Sequence, residues 1–292
     1  GDHAAAAPHF ANARDEDALR FRADSTINAI TREVAAEASD ATLVDLEKYC
    51  ADLSNGAPGE ELFYEHVHMT FRGNYVMAAQ AMPAFRKYLG GKIGPPAASP
   101  MTQDEVATRL LYVESARRDV VTKVLQRINR PPFLSQSGNA TMMSQLRQSL
   151  KSGAPVNAGE ELALSEAISK GNPGDWRAQN VYARNLYLAD RREDAISAFE
   201  NLIRLAPSAA AARYNYGIAL SAVARDAEAV ENLRLSLELG VDRDDVRYAM
   251  GLTLARQGKV ADARAAFAEQ EAITGKDPAA LARLGEFLID AK

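Results

Sequence analysis

Cysteine is almost absent from this 292-residue sequence, in which Cys50 is the single example. One cysteine excludes an internal disulfide and any zinc site built from cysteines. Although 47% of the residues are hydrophobic, no apolar run is long enough to predict a membrane-spanning helix. Basic residues are outnumbered, with a net charge of −5, and this acidic balance argues against a general nucleic-acid-binding protein.

The last third of the chain contains a 34-residue period. Small residues recur at two positions of the period, namely Ala183, Gly217, Gly251 and Gly285, and then Ala195, Ala229 and Ala263. Large apolar residues recur at two others, namely Leu186, Leu220, Leu254 and Leu288, and then Phe199, Leu233 and Phe267. Small residues are needed where two helices cross closely, so the pattern is typical of tetratricopeptide helix pairs.

The period divides this region into repeats over about 176–209, 210–243 and 244–277. A further helix over 278–291 is expected to complete the array and cap it. The sequence therefore predicts a mainly α protein with a helical solenoid over 176–292.

The first helix of each repeat is expected to line the concave face of the solenoid. Its outward positions hold a mixture of amide, aromatic, basic and apolar residues: Asn180, Arg184, Tyr187, Tyr214, Asn215, Tyr248 and Leu252. Tyrosines beside an arginine suit an extended peptide or its terminal carboxylate. Members of the family that bind chaperones hold that carboxylate with Lys, Arg and Asn, of which only Asn215 and Arg184 are matched here. The alternative is that these side chains contact a neighbouring domain or cover apolar surface.

A second motif is the run from Glu65 to Tyr75, Glu-His-Val-His-Met-Thr-Phe-Arg-Gly-Asn-Tyr. It places a carboxylate three residues before His68 and a glycine, Gly73, five residues after it. In a serine hydrolase a carboxylate holds the imidazole in one tautomer while the other ring nitrogen takes a proton from the nucleophile. Glu65 and His68 are therefore candidates for the acid and the base, and Gly73 for a tight turn.

This run resembles the last sequence block of the SGNH/GDSL hydrolases, Asp-x-x-His followed by a glycine, with Glu65 in place of the usual Asp. Together with residues 59–64 and an apolar helix over 75–85, it is similar to a subgroup of bacterial SGNH-type proteins that also carry tetratricopeptide repeats. The resemblance implies that residues 22–93 form the C-terminal part of an α/β domain. We expect a helix beginning near Ser25, with that serine as its N-cap, and a buried strand over 41–46.

The nucleophilic serine and the oxyanion-hole Gly and Asn of that family have no match in this sequence. Residues 1–21, with Gly1, Ala6, Phe10 and Ala13, match the second half of a tetratricopeptide unit. These observations predict that the chain is the C-terminal part of a longer protein. They leave open whether the compartment is the cytoplasm or the cell envelope.

Two other interpretations of the histidine loop remain. His66 and His68 alternate along the chain, so on an extended segment they point the same way and could bind a metal together with Glu65, but no further ligand cluster is visible. The histidines are otherwise ordinary hydrogen-bonded residues. The sequence predicts neither a metal nor a cofactor.

Residues 94–175 are expected to form a helical connector that begins with a proline-rich linker. Helices are predicted over 103–128, ending before Pro131-Pro132, and over 142–150. Two functions follow. The first is a scaffold that binds a protein or peptide partner, and the alternative is an SGNH/GDSL-type esterase or acyl-hydrolase whose nucleophile lies upstream of this chain.

Overall fold

The structure is a computed structural model that describes residues 3–17, 22–65, 67–92, 94, 99–241 and 245–274. These residues are mainly helical, and their one β-feature is an isolated antiparallel bridge between Phe63 and Met69. Two compact units form, one from Gly1–Thr108 and Asp119–Ser149, the other from Arg109–Arg118 and Leu150–Lys292. No described helix has both the length and the apolar character needed to cross a bilayer.

The helices divide into three consecutive groups along the chain. The N-terminal group is α1 (His3–Asp15), α2 (Ser25–Glu37), α3 (Leu46–Leu53) and α4 (Phe71–Leu89). The middle group is α5 (Gln103–Arg109), α6 (Glu114–Ile128) and α7 (Asn139–Ser152). The C-terminal group is α8 (Ala158–Gly171), α9 (Trp176–Leu188), α10 (Arg192–Leu205), α11 (Ala210–Ala222), α12 (Asp226–Glu238), α13 (Val246–Arg256) and α14 (Val260–Thr274).

The expected strand over 41–46 is wrong, and with it the α/β character of this part of the chain. Residues 41–45 have no regular structure, and Leu46 begins α3. The carboxylate of Asp45 accepts the backbone N–H of Lys48 and so caps that helix. Leu43 is 42% exposed, because no neighbouring strand among the described residues covers it.

Ion pairs join α2 to the start of α3. The guanidinium of Arg32 donates to both carboxylate oxygens of Asp45, at 2.6 and 3.0 Å, and to Glu47 at 2.6 Å. The second carboxylate oxygen of Glu47 binds Arg14 of α1. Asp24 caps α2 by accepting from the backbone of Ile27, so Ser25 is the first helical residue and not the N-cap.

The single helix predicted over 103–128 is two helices, α5 and α6. The chain breaks at Leu111, which is buried and has a φ of 54°, in the left-handed region that no helix interior accommodates. The helix predicted over 142–150 is present as α7. The prediction of one helix over 103–128 failed because the apolar periodicity continues through Leu111, where the backbone leaves the helical conformation.

The helix pairs α9–α10, α11–α12 and α13–α14 confirm the 34-residue register. Every described residue at the four predicted positions is buried: Ala183, Gly217 and Gly251; Ala195, Ala229 and Ala263; Leu186, Leu220 and Leu254; Phe199, Leu233 and Phe267. A Cβ on Gly217 would lie 2.8 Å from Leu233, and one on Gly251 would lie 2.6 Å from Phe267. The paired helices therefore approach too closely for a larger residue at either site.

The turn inside each pair repeats as regularly as the core. Asp190, Ala224 and Gly258 have φ values of 59°, 59° and 72°. The residue after each donates its backbone N–H, at 3.0 Å, to a carbonyl near the end of the preceding helix: Arg191 to Leu186, Arg225 to Leu220, and Lys259 to Leu254. This is the left-handed helix termination expected of a tight turn between antiparallel helices.

Helix α8 extends the packed array beyond the predicted repeats. The side-chain amide of buried Asn185 in α9 donates to the carbonyl of Glu161 and to the hydroxyl of Ser165, both at 3.1 Å. The carboxylate of Glu161 accepts the backbone N–H of Ser115 at 3.0 Å, near the start of α6. A buried carboxylate in α8 therefore satisfies a free amide of another helix.

Two predicted features fall partly outside the described residues. The capping helix over 278–291, with Gly285 and Leu288, lies outside them entirely. At the other end of the chain α1 is helical, but Phe10 is 62% exposed. The assignment of residues 1–21 to half a repeat stays a prediction, as do the other domain boundaries.

Candidate functional site

The loop that carries Glu65 and His68 is closed by backbone hydrogen bonds. Tyr64 N–H donates to the His68 carbonyl at 2.7 Å, and Thr70 N–H donates to the Leu62 carbonyl at 2.8 Å. Thr70 also caps α4, because its hydroxyl accepts the Gly73 N–H at 3.0 Å. The loop is thus fixed at both ends and attached to the first turn of a helix.

Gly73 has a different role from the turn predicted for it. It lies inside the first turn of α4 and is buried. A Cβ there would overlap the Leu62 carbonyl, well inside van der Waals contact. Glycine is required because the loop backbone passes directly against the helix.

The predicted contact between Glu65 and His68 is present. The Glu65 side chain is 3% exposed, and its carboxylate accepts the backbone N–H groups of Val67 and His68 at 2.9 and 3.2 Å. The same carboxylate contacts Nδ1 of His68. An ionised carboxylate only accepts hydrogen bonds, so a neutral imidazole here has its proton on Nδ1 and its lone pair on Nε2.

Nε2 of His68 faces Arg127, a residue that the sequence analysis did not identify. The Nη1 group of Arg127, in the last turn of α6, contacts this nitrogen. The two residues are 59 positions apart, and no spacing or composition signal links them. The imidazole is therefore held on both sides, by a buried carboxylate and by an exposed guanidinium, while 46% of its side chain stays exposed.

The described residues contain no group of three or more His, Cys, Asp or Glu side chains that could hold a metal ion. His66, the third residue of the suggested metal set, lies outside them. Ser25 is held by Arg14 and Asp15: its hydroxyl accepts from the arginine at 2.5 Å, and its backbone N–H donates to the aspartate at 2.9 Å.

Five of the seven predicted groove residues, Asn180, Arg184, Tyr214, Tyr248 and Leu252, occupy two rows of the repeat register. Arg184 in α9 is equivalent to Ile218 in α11 and Leu252 in α13, and all three are half-buried. Asn180, Tyr214 and Tyr248 form the other row. Asn215, one position further on in α11, donates its side-chain amide to the Asn180 oxygen at 3.0 Å, which links the first two repeats.

Two of the tyrosines are part of the packing between helices. Tyr214 is buried, and its hydroxyl donates to Asp245 at 2.9 Å. The ring of Tyr248 packs on Phe267, with ring centroids 5.6 Å apart. Half-buried Tyr187 contacts the core around Leu186 and Phe199. Tyr214 therefore has little surface left for a ligand, and half-buried Tyr248 packs against the second helix of its own pair. Their place in the groove stays a prediction.

No protein-family model matches the chain, and no curated protein matches it. Solved structures with similar folds include a crystal structure of MamA, at 18% identity and a TM-score of 0.40, covering 51% of this chain and 86% of MamA.

They also include TTC0263, a tetratricopeptide protein of Thermus thermophilus, at 19% identity and a TM-score of 0.41, covering 63% of this chain and 96% of that protein. A third is MamA from Desulfovibrio magneticus, at 14% identity and a TM-score of 0.39, covering 61% of this chain and 100% of that structure.

Proposed function

We propose that the chain is a protein-interaction scaffold whose first helices in each repeat bind an extended peptide or protein segment. The observation that carries this proposal is the half-buried row of Arg184, Ile218 and Leu252. A row at one register position of successive helix pairs follows the direction of an extended ligand. Asn180, Tyr187 and Asn215 complete the proposed surface.

The chemistry of this row favours one class of ligand. Ile218 and Leu252 offer apolar contact, and the guanidinium of Arg184 offers hydrogen bonds to a carboxylate. We therefore expect a peptide with an apolar side chain and a carboxylate, bound at roughly the micromolar level that corresponds to about 8 kcal/mol.

The test is a set of labelled peptides with apolar C-terminal residues, each with a free and an amidated terminus, measured by fluorescence anisotropy. Arg184→Ala should weaken free-carboxylate peptides about tenfold, the scale of one charge-assisted hydrogen bond of roughly 1.4 kcal/mol. Amidation of the peptide should weaken its binding to the wild-type protein by a similar factor. It should have little effect on the affinity of the Arg184→Ala variant, because amidation and the substitution remove the same contact.

The matched control is Arg204→Ala, which removes an exposed arginine from α10, the second helix of the same pair. It should leave the affinity unchanged. Equal affinities for the two variants would show that Arg184 does not contact the ligand.

A second candidate function is ester hydrolysis of the SGNH/GDSL type, in which Glu65 and His68 supply the acid and the base. The observation in its favour is the buried carboxylate on Nδ1 of a partly exposed imidazole. It also requires an activated serine, which the sequence does not identify. His68-dependent hydrolysis of a short ester separates this candidate from a scaffold without catalysis.

A further inference from the structure

We propose that Arg127 is a removable cap on the Nε2 atom of His68, and that an oxyanion releases it by binding the guanidinium. Three observations meet at this point. The buried carboxylate of Glu65 contacts Nδ1 of the ring, Nη1 of Arg127 contacts the opposite nitrogen, and both His68 and Arg127 are accessible from solvent.

The contact blocks the atom that gives the imidazole its reactivity. A guanidinium only donates hydrogen bonds, so Arg127 occupies the lone pair of Nε2. A nucleophile's hydroxyl, or any electrophile, needs the same lone pair. Glu65 therefore orients the imidazole of His68, while Arg127 blocks access to its Nε2 atom.

An oxyanion is the ligand that competes best for the cap. A guanidinium pairs with carboxylate or phosphate through two parallel hydrogen bonds, and these are stronger than a bond to a neutral acceptor. Arg127 is exposed in the last turn of α6, which leaves its long side chain room to turn toward solvent. Binding of the anion then frees Nε2 without moving Glu65 or the loop.

The catalytic meaning of the cap rests on the hydrolase candidate, in which a substrate with an anionic group would uncover its own base. The contact itself does not rest on it. Chemical modification of His68 measures the contact directly, so its result is separate from any measurement of ester hydrolysis.

The probe is diethyl pyrocarbonate, which transfers an ethoxycarbonyl group to the free lone pair of a neutral imidazole. The rate at His68 is followed by peptide mass spectrometry at slightly alkaline pH, with exposed His9 as internal reference. Arg127→Met should raise the rate about fivefold, the factor that corresponds to a hydrogen bond of about 1 kcal/mol. Arg127→Lys, which keeps a donor and the charge, should give a smaller increase.

The matched control is Lys123→Met, which removes a charge one turn earlier on the same exposed side of α6. It should leave the rate unchanged. A rate for Arg127→Met equal to that of the control, in a variant with an unchanged thermal transition, would overturn the cap.

The second arm adds inorganic phosphate, with chloride at matched ionic strength as reference. Phosphate should raise the His68 rate in the wild-type protein toward that of Arg127→Met and should not change the variant. Equal rates in phosphate and chloride would overturn the release by oxyanions.

Discussion

Single residues at the turns show how far the backbone of each repeat constrains its sequence. Asp190, Ala224 and Gly258 share the left-handed conformation, yet only one of them is glycine. Aspartate tolerates this conformation better than alanine because its short polar side chain hydrogen-bonds locally. The alanine is thus the strained member of the set.

Exchange of glycine and alanine at these turns should change stability in opposite directions. Gly258→Ala should lower the free energy of unfolding by about 1 kcal/mol, because a Cβ there meets no neighbour and only the backbone conformation is penalised. Ala224→Gly should raise it by up to about 1 kcal/mol, reduced by the greater entropy of unfolded glycine. Thermal unfolding measures both. A loss of stability in both variants would contradict this origin of the strain.

A large side chain placed where two helices cross in contact should lower the free energy of unfolding. Gly251→Leu should lower the free energy of unfolding by about 1–3 kcal/mol, because the new side chain meets the ring of Phe267. The control is Gly171→Leu at the end of α8, where an added Cβ has no neighbour within 4 Å. Similar melting temperatures for the two variants would remove the basis for the register.

Secondary-structure elements could be predicted where the 34-residue period recurs several times and the residues that pack together lie within one repeat. Leu186, Leu220 and Leu254 could be assigned to the core because each repeat supplies its own packing partner at a fixed spacing. Residues 41–46 could not, since a strand needs a partner strand that sequence alone does not show. The contact of Arg127 with His68 was missed for a related reason: it depends on the packing of distant segments, whereas Glu65 and His68 are joined by one loop.

The ion pairs between α2 and α3 should make the first unit sensitive to acid. The hydrogen bond from Arg32 holds the pKa of Asp45 below its usual range. A carboxyl whose pKa is lowered by folding stabilises the native state above its unfolded pKa, and that stability disappears as the pH falls through the folded pKa. Arg32→Met should therefore reduce the free energy of unfolding at neutral pH and less at acid pH.

Urea unfolding across the acid range measures this difference. Lys48→Met is the control, because Lys48 forms an exposed ion pair with Asp52, and such pairs contribute little to stability. A difference between wild type and Arg32→Met that stays constant with pH would argue that the arginine acts through packing alone.

The whole molecule combines an array of helix pairs with a loop in which the buried carboxylate of Glu65 contacts His68. The two features lie in different compact units, the loop in the first and the repeats in the second. Each can therefore be tested by its own substitutions. Arg184→Ala addresses the proposed peptide surface, and His68→Ala addresses the proposed chemistry.

The chain should show no significant hydrolysis of short acyl esters such as p-nitrophenyl acetate. An acid and a base do not form an acyl-enzyme unless a nucleophile is activated, and the group on Nε2 of His68 is the Arg127 guanidinium, which cannot lose a proton to it. Progress curves for wild type and His68→Ala should coincide. Hydrolysis that is lost in His68→Ala would instead require a nucleophilic serine within this chain, and Ser25 would be the first to replace. If Ser25 is that nucleophile, Ser25→Ala should abolish the activity. The hydroxyl that this substitution removes bonds to Arg14, so the Glu65–His68 contact should stay intact.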